Sequence, residues 1–283
     1  MTTRALTDAA FVIGQSHLDN GKPCQDYALS GGVVGPNSML WSAVSDGCSS
    51  GGHTDVGARM WLHSVGPALA QVVEPSLEAV KQALLTAAHP LLASFCARDA
   101  LATVGLVATD GRKAWLCLLG DGAALIRTAD GGLQTCEVRY STNAPRYPSY
   151  ELSFRECVNG LERWLQEHGS AVVEVESHTY DAAGNLTARK LECVPAAEFE
   201  GLWLEWADVA ELTAVVVTSD GISSYREQTL KRAADELLSV KTVNGQFLQR
   251  RMAAMARRWK SEPSAMPKDD LSAGALWFVD AKD

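Results

Sequence analysis

Five Asp-Gly pairs, at residues 46, 110, 121, 130 and 220, punctuate this sequence, and two adjacent acids, Asp269 and Asp270, stand near its end. Asp110 and Asp130 lie between strand-like runs and read as hairpin turns, because glycine takes positive φ freely and Asp tolerates left-handed geometry. The other three pairs fit that reading poorly. Asp46 follows "LWSAVS" but leads into "CSSGGHTDVGA", a flexible loop and then a helix. Asp121 sits inside "LCLLGDGAALI", apolar on both sides, where a carboxylate without a partner is costly to bury. Asp220 ends the valine run "AVVVTS", with no returning strand; capping the next helix is its alternative role. Asp269 and Asp270 repel each other unless a cation or protons neutralise them, the alternative being a solvated turn. Several carboxylates at strand ends, without imidazole or thiolate company, suit hard cations such as Mg²⁺ or Mn²⁺. Two such ions about 3.5–4 Å apart can bridge a water and deprotonate it for attack on phosphorus.

Such acids need strands to hold them. "FVIGQSH" and "MLWSAVSD" read as strands, and Thr54 to about Val73 as a helix capped by Thr54 or Asp55. Residues 76–98 have helical spacing, with Pro90 able to kink or divide the segment. Residues 102–138 form an apolar meander broken by Asp-Gly. From 139 to 200 the pattern is less regular: a loop, a short helix in "CVNGLERWLQEHG", and a hairpin turning at Gly184-Asn185. A strand at 212–219, a long helical region from 225 to about 260 and a final strand after "KDD" complete the chain. Strands come in runs and helices in two blocks, which predicts antiparallel sheets with helices packed outside rather than an alternating βαβ fold.

Composition limits the partners. The chain has 283 residues, 47% hydrophobic and 21% charged, enough for a substantial core. Its formal net charge of −9 argues against nucleic acid, whose phosphates need clustered Lys and Arg. No apolar stretch approaches the roughly 20 residues of a membrane span. "MTTRALTDAAFVIGQSH" lacks signal-peptide design, so a cytoplasmic location is expected. Seven widely spaced cysteines, at 24, 48, 96, 117, 136, 157 and 193, include no C-x-x-C and read as reduced thiols. The basic group Arg250, Arg251, Arg257, Arg258 and Lys260 reads as the solvated face of the long helix, and Trp203 and Trp206 as packing residues.

Six segments in order resemble the metal-dependent protein phosphatases of the PP2C class, particularly compact bacterial members. They are "GQSHLDNGKPCQDYA", "VSDGCSSGGHTDVGA", "ATVGLVA", "LLGDGAALI", "VTSDGISS" and "KDDLSAGAL", spread across almost the whole chain. The resemblance implies an α+β fold: a four-layer α-β-β-α sandwich of two antiparallel sheets flanked by helices. It also implies a single domain over residues 1–283, with a variable flap-like segment at about 139–200. By the same resemblance two Mn²⁺ or Mg²⁺ ions are expected. Asp46 would bridge them, Gly47 would offer its carbonyl, Asp220 and Asp269 would bind the second ion and Asp26 would hold bound waters. Asp121 corresponds to an acid that serves a third ion in many members. The implied activity is that of a phosphoserine/phosphothreonine protein phosphatase in bacterial signalling, opposed to a Ser/Thr kinase. A dimetal-bridged hydroxide would attack in line without a phosphoenzyme.

The pattern departs from the family at several points. The Arg that commonly holds the substrate phosphate is replaced by His17, with Lys22 nearby, and the usual His after Asp-Gly by Cys48. Ser224 stands where many relatives carry a second acid for the third ion. His53 in "GGHTD" is a further candidate near the site. These departures leave two other readings open: a catalytically impaired pseudophosphatase acting as a binding module, and a small-molecule phosphoester hydrolase. Oligomeric state is not legible.

Overall fold

The computed structural model describes residues 3–35, 38–154, 159–225, 229–262 and 265–281; Cys157 and the side chain of Lys260 lie outside this description. Twelve strands are described: β1 (Thr3–Val12), β2 (Asp26–Val33), β3 (Met39–Asp46), β4 (Val104–Thr109), β5 (Ala114–Leu119), β6 (Gly122–Thr128), β7 (Leu133–Tyr140), β8 (Val172–Tyr180), β9 (Leu186–Pro195), β10 (Leu202–Trp206), β11 (Leu212–Thr218) and β12 (Leu271–Asp280). The helices are α1 (Gln15–Asp19), α2 (Thr54–Leu69), α3 (Leu77–Leu92), α4 (Gly160–His168), α5 (Leu230–Leu238) and α6 (Phe247–Ser261). One sheet has seven strands in the order β1-β12-β11-β6-β7-β8-β9, the other five in the order β10-β5-β4-β3-β2. Every pairing between these strands is antiparallel.

Period-two patterning explains the layers. Along β11, Val215 and Val217 face the five-stranded sheet, where they meet Val44, Val107, Leu116 and Leu118. The alternate residues Ala214 and Val216 face outward against Leu237, Met252 and Trp259 of α5 and α6. On the far side, Trp61, Leu62 and Val65 of α2 and Leu84 of α3 pack on Leu106 and Trp115 of the five-stranded sheet. The result is an α-β-β-α sandwich of α+β class. Among the described residues no helix is long and apolar enough to cross a membrane.

The meander contains the turn that matters most for the site. β5 belongs to the five-stranded sheet and β6 to the seven-stranded one, so the chain changes sheets at Gly120–Asp121. Gly120 and Gly122 have φ of 100° and 137°, which L side chains rarely adopt, so the Asp is held between two permissive residues. Asp110 and Asp130 do close hairpins, each accepting backbone N–H groups within its own turn.

Several elements differ from the sequence expectation. The first strand runs from Thr3 to Val12, and the chain enters α1 at Gln15 rather than continuing as a strand through "GQSH". His53, not Thr54 or Asp55, occupies the α2 N-cap and makes no side-chain cap bond. Pro90 falls in the last turn of α3, which continues to Leu92. The helical region after 225 is two helices, parted around Asn244-Gly245, a turn dipeptide. Arg251 and Arg258 reach back to Glu236 of α5 instead of forming a solvated face. Trp203 stacks on Trp115 at 5.1 Å between ring centroids, a packing role.

Candidate metal centre

The carboxylates meet at one end of the sandwich, where strands of both sheets terminate. β2 begins at Asp26 and β3 ends at Asp46, and the antiparallel register sets these two residues directly opposite each other. Asp46 is fixed by its backbone: its N–H donates to Thr103 Oγ1 at 3.2 Å and its carbonyl accepts from Thr103 N–H at 2.9 Å. Gly47 N–H donates to the Gln25 carbonyl, which keeps the two strand ends in register. From the seven-stranded sheet, Ser219 Oγ donates to Asp26 Oδ2 at 2.6 Å, linking the sheets across the site. Asp220 follows and opens a short 3-10 turn, Asp220–Ser223. It does not cap a helix; its Oδ1 is buried without a hydrogen-bond partner, and the next helix, α5, is capped by Thr229.

Asp269 and Asp270 play different parts. Asp269 is exposed, whereas Asp270 is 2% exposed. Asp270 Oδ1 accepts from Gly14 N–H at 2.7 Å, and its Oδ2 accepts from Gln25 N–H at 2.6 Å and lies 2.8 Å from His17 Nδ1. Both oxygens are thus committed to tying the β1–α1 connection and the start of β2 to the start of β12. A Cβ on Gly221 would lie 1.8 Å from the Asp270 carbonyl oxygen, and one on Gly14 would lie 2.2 Å from the Asp269 carbonyl. The Asp269–Asp270 backbone is therefore clamped between two glycines that no side chain could replace without displacement. Ser224 completes the clamp, its Oγ accepting from Asp269 N–H at 3.1 Å and donating to the Gly221 carbonyl at 2.8 Å.

Proximity and burial shift these acids strongly. Burial pushes Asp26 up to about 7, with the Asp270 charge adding to the rise and the Ser219 hydroxyl opposing it. Asp220 is pushed up to about 6, mainly by burial and then by the Asp269 charge. Asp46 lies well above the usual carboxylate range through burial and the charges of Asp26 and Asp220. Asp121 is raised in the same way, by burial and then by Asp220 and Asp269. Asp46 therefore senses Asp26, Asp121 and Asp220, and Asp121 and Asp220 both sense Asp269, although these acids come from five separate stretches of chain. Among the described residues, His17 on Asp270 is the sole basic side chain paired with any of these six acids.

This donor set fits hard divalent cations. Asp26 Oδ1 and Asp220 Oδ1 are buried with no hydrogen-bond partner, and like charges crowd around them. Oxygen-rich, unneutralised sites of this kind are satisfied by Mg²⁺ or Mn²⁺. His17, Asp269 and Asp270 can also bring one ligand atom each within 4.8 Å of one another. The Asp270 oxygens are already spent on three hydrogen bonds, whereas Asp269 accepts the Asp270 N–H at 2.9 Å through Oδ1 and is the less committed carboxylate of that trio.

The remaining candidates are placed around this centre. His17 is buried in α1 and held by Asp270, while Lys22 is exposed. Cys48 lies next to the site with its thiol 3.1 Å from Ser50 Oγ, and the exposed His53 is fixed by its N–H to Asp99. Two participants were not legible from sequence: Asp270 as the buried brace, and Tyr147. The Tyr147 hydroxyl is raised well above its ordinary range by burial and then by Cys48, with the charges of Asp121 and Asp46 adding to the rise. The aromatic cluster "RYPSY" in an otherwise loop-like stretch was the available signal.

A family model described as protein phosphatase 2C matches residues 13–262. In structure the chain is similar to the S. agalactiae serine/threonine phosphatase, at 15% identity over 97% of this chain and 99% of that one, with a TM-score of 0.54. It is also similar to the catalytic domain of the serine threonine protein phosphatase PstP in complex with two manganese ions, at 14% identity over 99% and 100% of the two chains, TM-score 0.54. A C. elegans sex determining protein shares 18% identity over 96% of this chain and 64% of that one, TM-score 0.52. At these identities the likeness speaks for the fold. No curated protein matches the sequence. With the family match spanning most of its length and its acids gathered where the two sheets end, the chain belongs to the protein phosphatase 2C family of metal-dependent serine/threonine phosphatases.

Proposed function

We propose that this protein removes phosphate from phosphoserine or phosphothreonine in a protein substrate, using two Mn²⁺ or Mg²⁺ ions and direct in-line attack by water. The observation that carries this reading is the pair of buried, unpartnered carboxylate oxygens, Asp26 Oδ1 and Asp220 Oδ1, inside a group of mutually repelling acids. Asp46, the Gly47 carbonyl, Asp220 and Asp269 would hold the ions, with Asp26 and Asp121 completing the oxygen-rich surround. When bound, such ions supply positive charge to the phosphoryl oxygens and acidify water.

The chain's own residues do the rest. Asp46, fixed through Thr103, and Asp26, fixed through Ser219 from the seven-stranded sheet, orient the site from the end of the five-stranded sheet. Ser224 and the glycine clamp set the height of Asp269. Asp270 holds His17 in one orientation through Nδ1, which supports a role for the imidazole in meeting substrate phosphate where the family uses Arg. Tyr147, buried and sensitive to the Asp121 and Asp46 charges, belongs to the 139–200 segment, and that segment would act as the flap that selects the phosphoprotein. The kinase that supplies such a substrate is a Ser/Thr kinase, and the shared compartment would be the cytoplasm.

Hydrolysis of a phosphothreonine peptide, followed with Mn²⁺ and with chelator, tests this. Turnover is expected with Mn²⁺ and not with chelator, and Asp46→Asn should lower kcat by roughly a thousandfold or more, since oriented charge of this kind contributes several kcal/mol. A folded wild-type protein with no metal-dependent turnover on phosphopeptides would overturn the reading. Preference for a nucleotide or sugar phosphate would overturn the choice of a protein substrate.

A further inference from the structure

The β8–β9 hairpin leaves one edge of the seven-stranded sheet open. β9 is 10 residues long and pairs with β8 alone. Its residues 186–193 are all exposed, so neither face of the strand is covered, and Leu186 and Leu191 stand 53% and 50% exposed. At the opposite end of the sheet, β1 packs against α6 and β2. An uncovered edge of this length is a template for another strand.

Backbone direction fixes which residues a new strand would meet. Ala196 N–H donates to the Ala171 carbonyl at 2.8 Å, and Val172 directs both its backbone groups to Ser141 on the β7 side. Because antiparallel ladders alternate, Lys190 and Glu192 turn their N–H and C=O toward β8, while Arg189, Leu191 and Cys193 turn theirs outward.

We propose that β9 is a self-association edge: two copies of this chain pair β9 antiparallel about a two-fold axis through Leu191, joining two seven-stranded sheets into one. In that register Leu191 faces the partner's Leu191 and Arg189 faces the partner's Cys193. Lys190 faces the partner's Glu192, and symmetry repeats this attraction on the other side of the axis. Outward groups recur at every second residue, as at 189, 191 and 193, so the nearest alternative registers slide by two. One slide sets Lys190 against the partner's Lys190 and the other sets Glu192 against the partner's Glu192. Like charges directly opposite disfavour pairing, so the Leu191-centred register is selected. Lys on an edge ordinarily discourages strand addition. Here Glu192, which already pairs with Lys190 within the chain, offers the matching charge to an antiparallel copy. Pro195 lacks an N–H and ends the ladder. A single strand pair buries less than the roughly 1,200–2,000 Å² of a stable interface, so the dimer is weak and concentration-dependent.

Sedimentation equilibrium of the full chain over a concentration series tests the proposal. The apparent mass is expected to rise from that of one chain to that of two. Glu192→Lys and Lys190→Glu should each abolish the rise, and the double swap should restore it. Leu191→Pro, which removes an outward N–H and leaves the β8 bonds intact, should keep the far-UV circular dichroism and remain a single chain. A wild-type protein that stays a single chain throughout, a dimer indifferent to the single reversals, or a double swap that fails to restore association would each overturn it.

Discussion

The individual acids of the centre are held in an unfavourable state that ions would relieve. Asp26 at about 7 and Asp220 at about 6 lie above the roughly 3.9 of an unfolded Asp. In the metal-free protein these groups keep protons that the unfolded chain has already released. Their contribution to stability is therefore fully present below pH about 4 and is lost as pH rises through 6 to 7. Thermal melts in chelator are expected to show a midpoint that falls between pH 5 and pH 8, and added Mn²⁺ should flatten or reverse the fall, because metal ligands must be deprotonated. A midpoint in chelator that does not move over this range would count against the mutual repulsion described here. Asp270 is held differently, its oxygens met by two backbone N–H groups and the His17 ring, which is why a carboxylate tolerates a site that is 2% exposed.

At the level of elements, small residues decide how closely the acid-bearing segments approach. Gly221→Ala would force Cβ against the Asp270 carbonyl from 1.8 Å, pushing the Asp220 turn away from the start of β12. A loss of about 1–3 kcal/mol is expected for such overpacking, with weaker Mn²⁺ binding, checked by chemical denaturation and by calorimetric metal titration. Native-like affinity in a stable Gly221→Ala protein would refute the clamp. The same elements show what sequence can convey. The acids after the β3 and β11 runs were legible because an apolar β-branched strand ending on Asp-Gly, with no return strand, leaves the carboxylate without a turn to make. β2 was missed because "DYALSGGV" carries two glycines and weak alternation, and its identity as a strand comes from pairing with β3. The boundary of β1 was misread because its pairing with β12, a partner more than 260 residues away, extends it back to Thr3. Asp270 was overshadowed by Asp269 because burial, not residue type, separates the two.

For the molecule as a whole, the two sheets share a hydrophobic interior along most of their length and an electrically repelling rim at one end. Asp26 and Asp46 ride on the five-stranded sheet, Asp220 and Asp269 on the seven-stranded one, and Asp121 sits on the strap that passes between them. Val215, Val217 and Leu276 fasten the interior to Val107 and Leu116 whether or not ions are present. Stripping the ions should therefore leave the middle of the sandwich closed while its rim loosens. Hydrogen exchange is expected to quicken in chelator at residues 25–28 and 218–222 and to stay unchanged along β4 and β5; uniform exchange in both conditions would refute this. Asp121 adds a further consequence. Because the chain passes directly from one sheet to the other at that corner, a cation seated there would act as a rivet through both leaves of the fold, and the proposed metal centre would double as a fastening that keeps them shut.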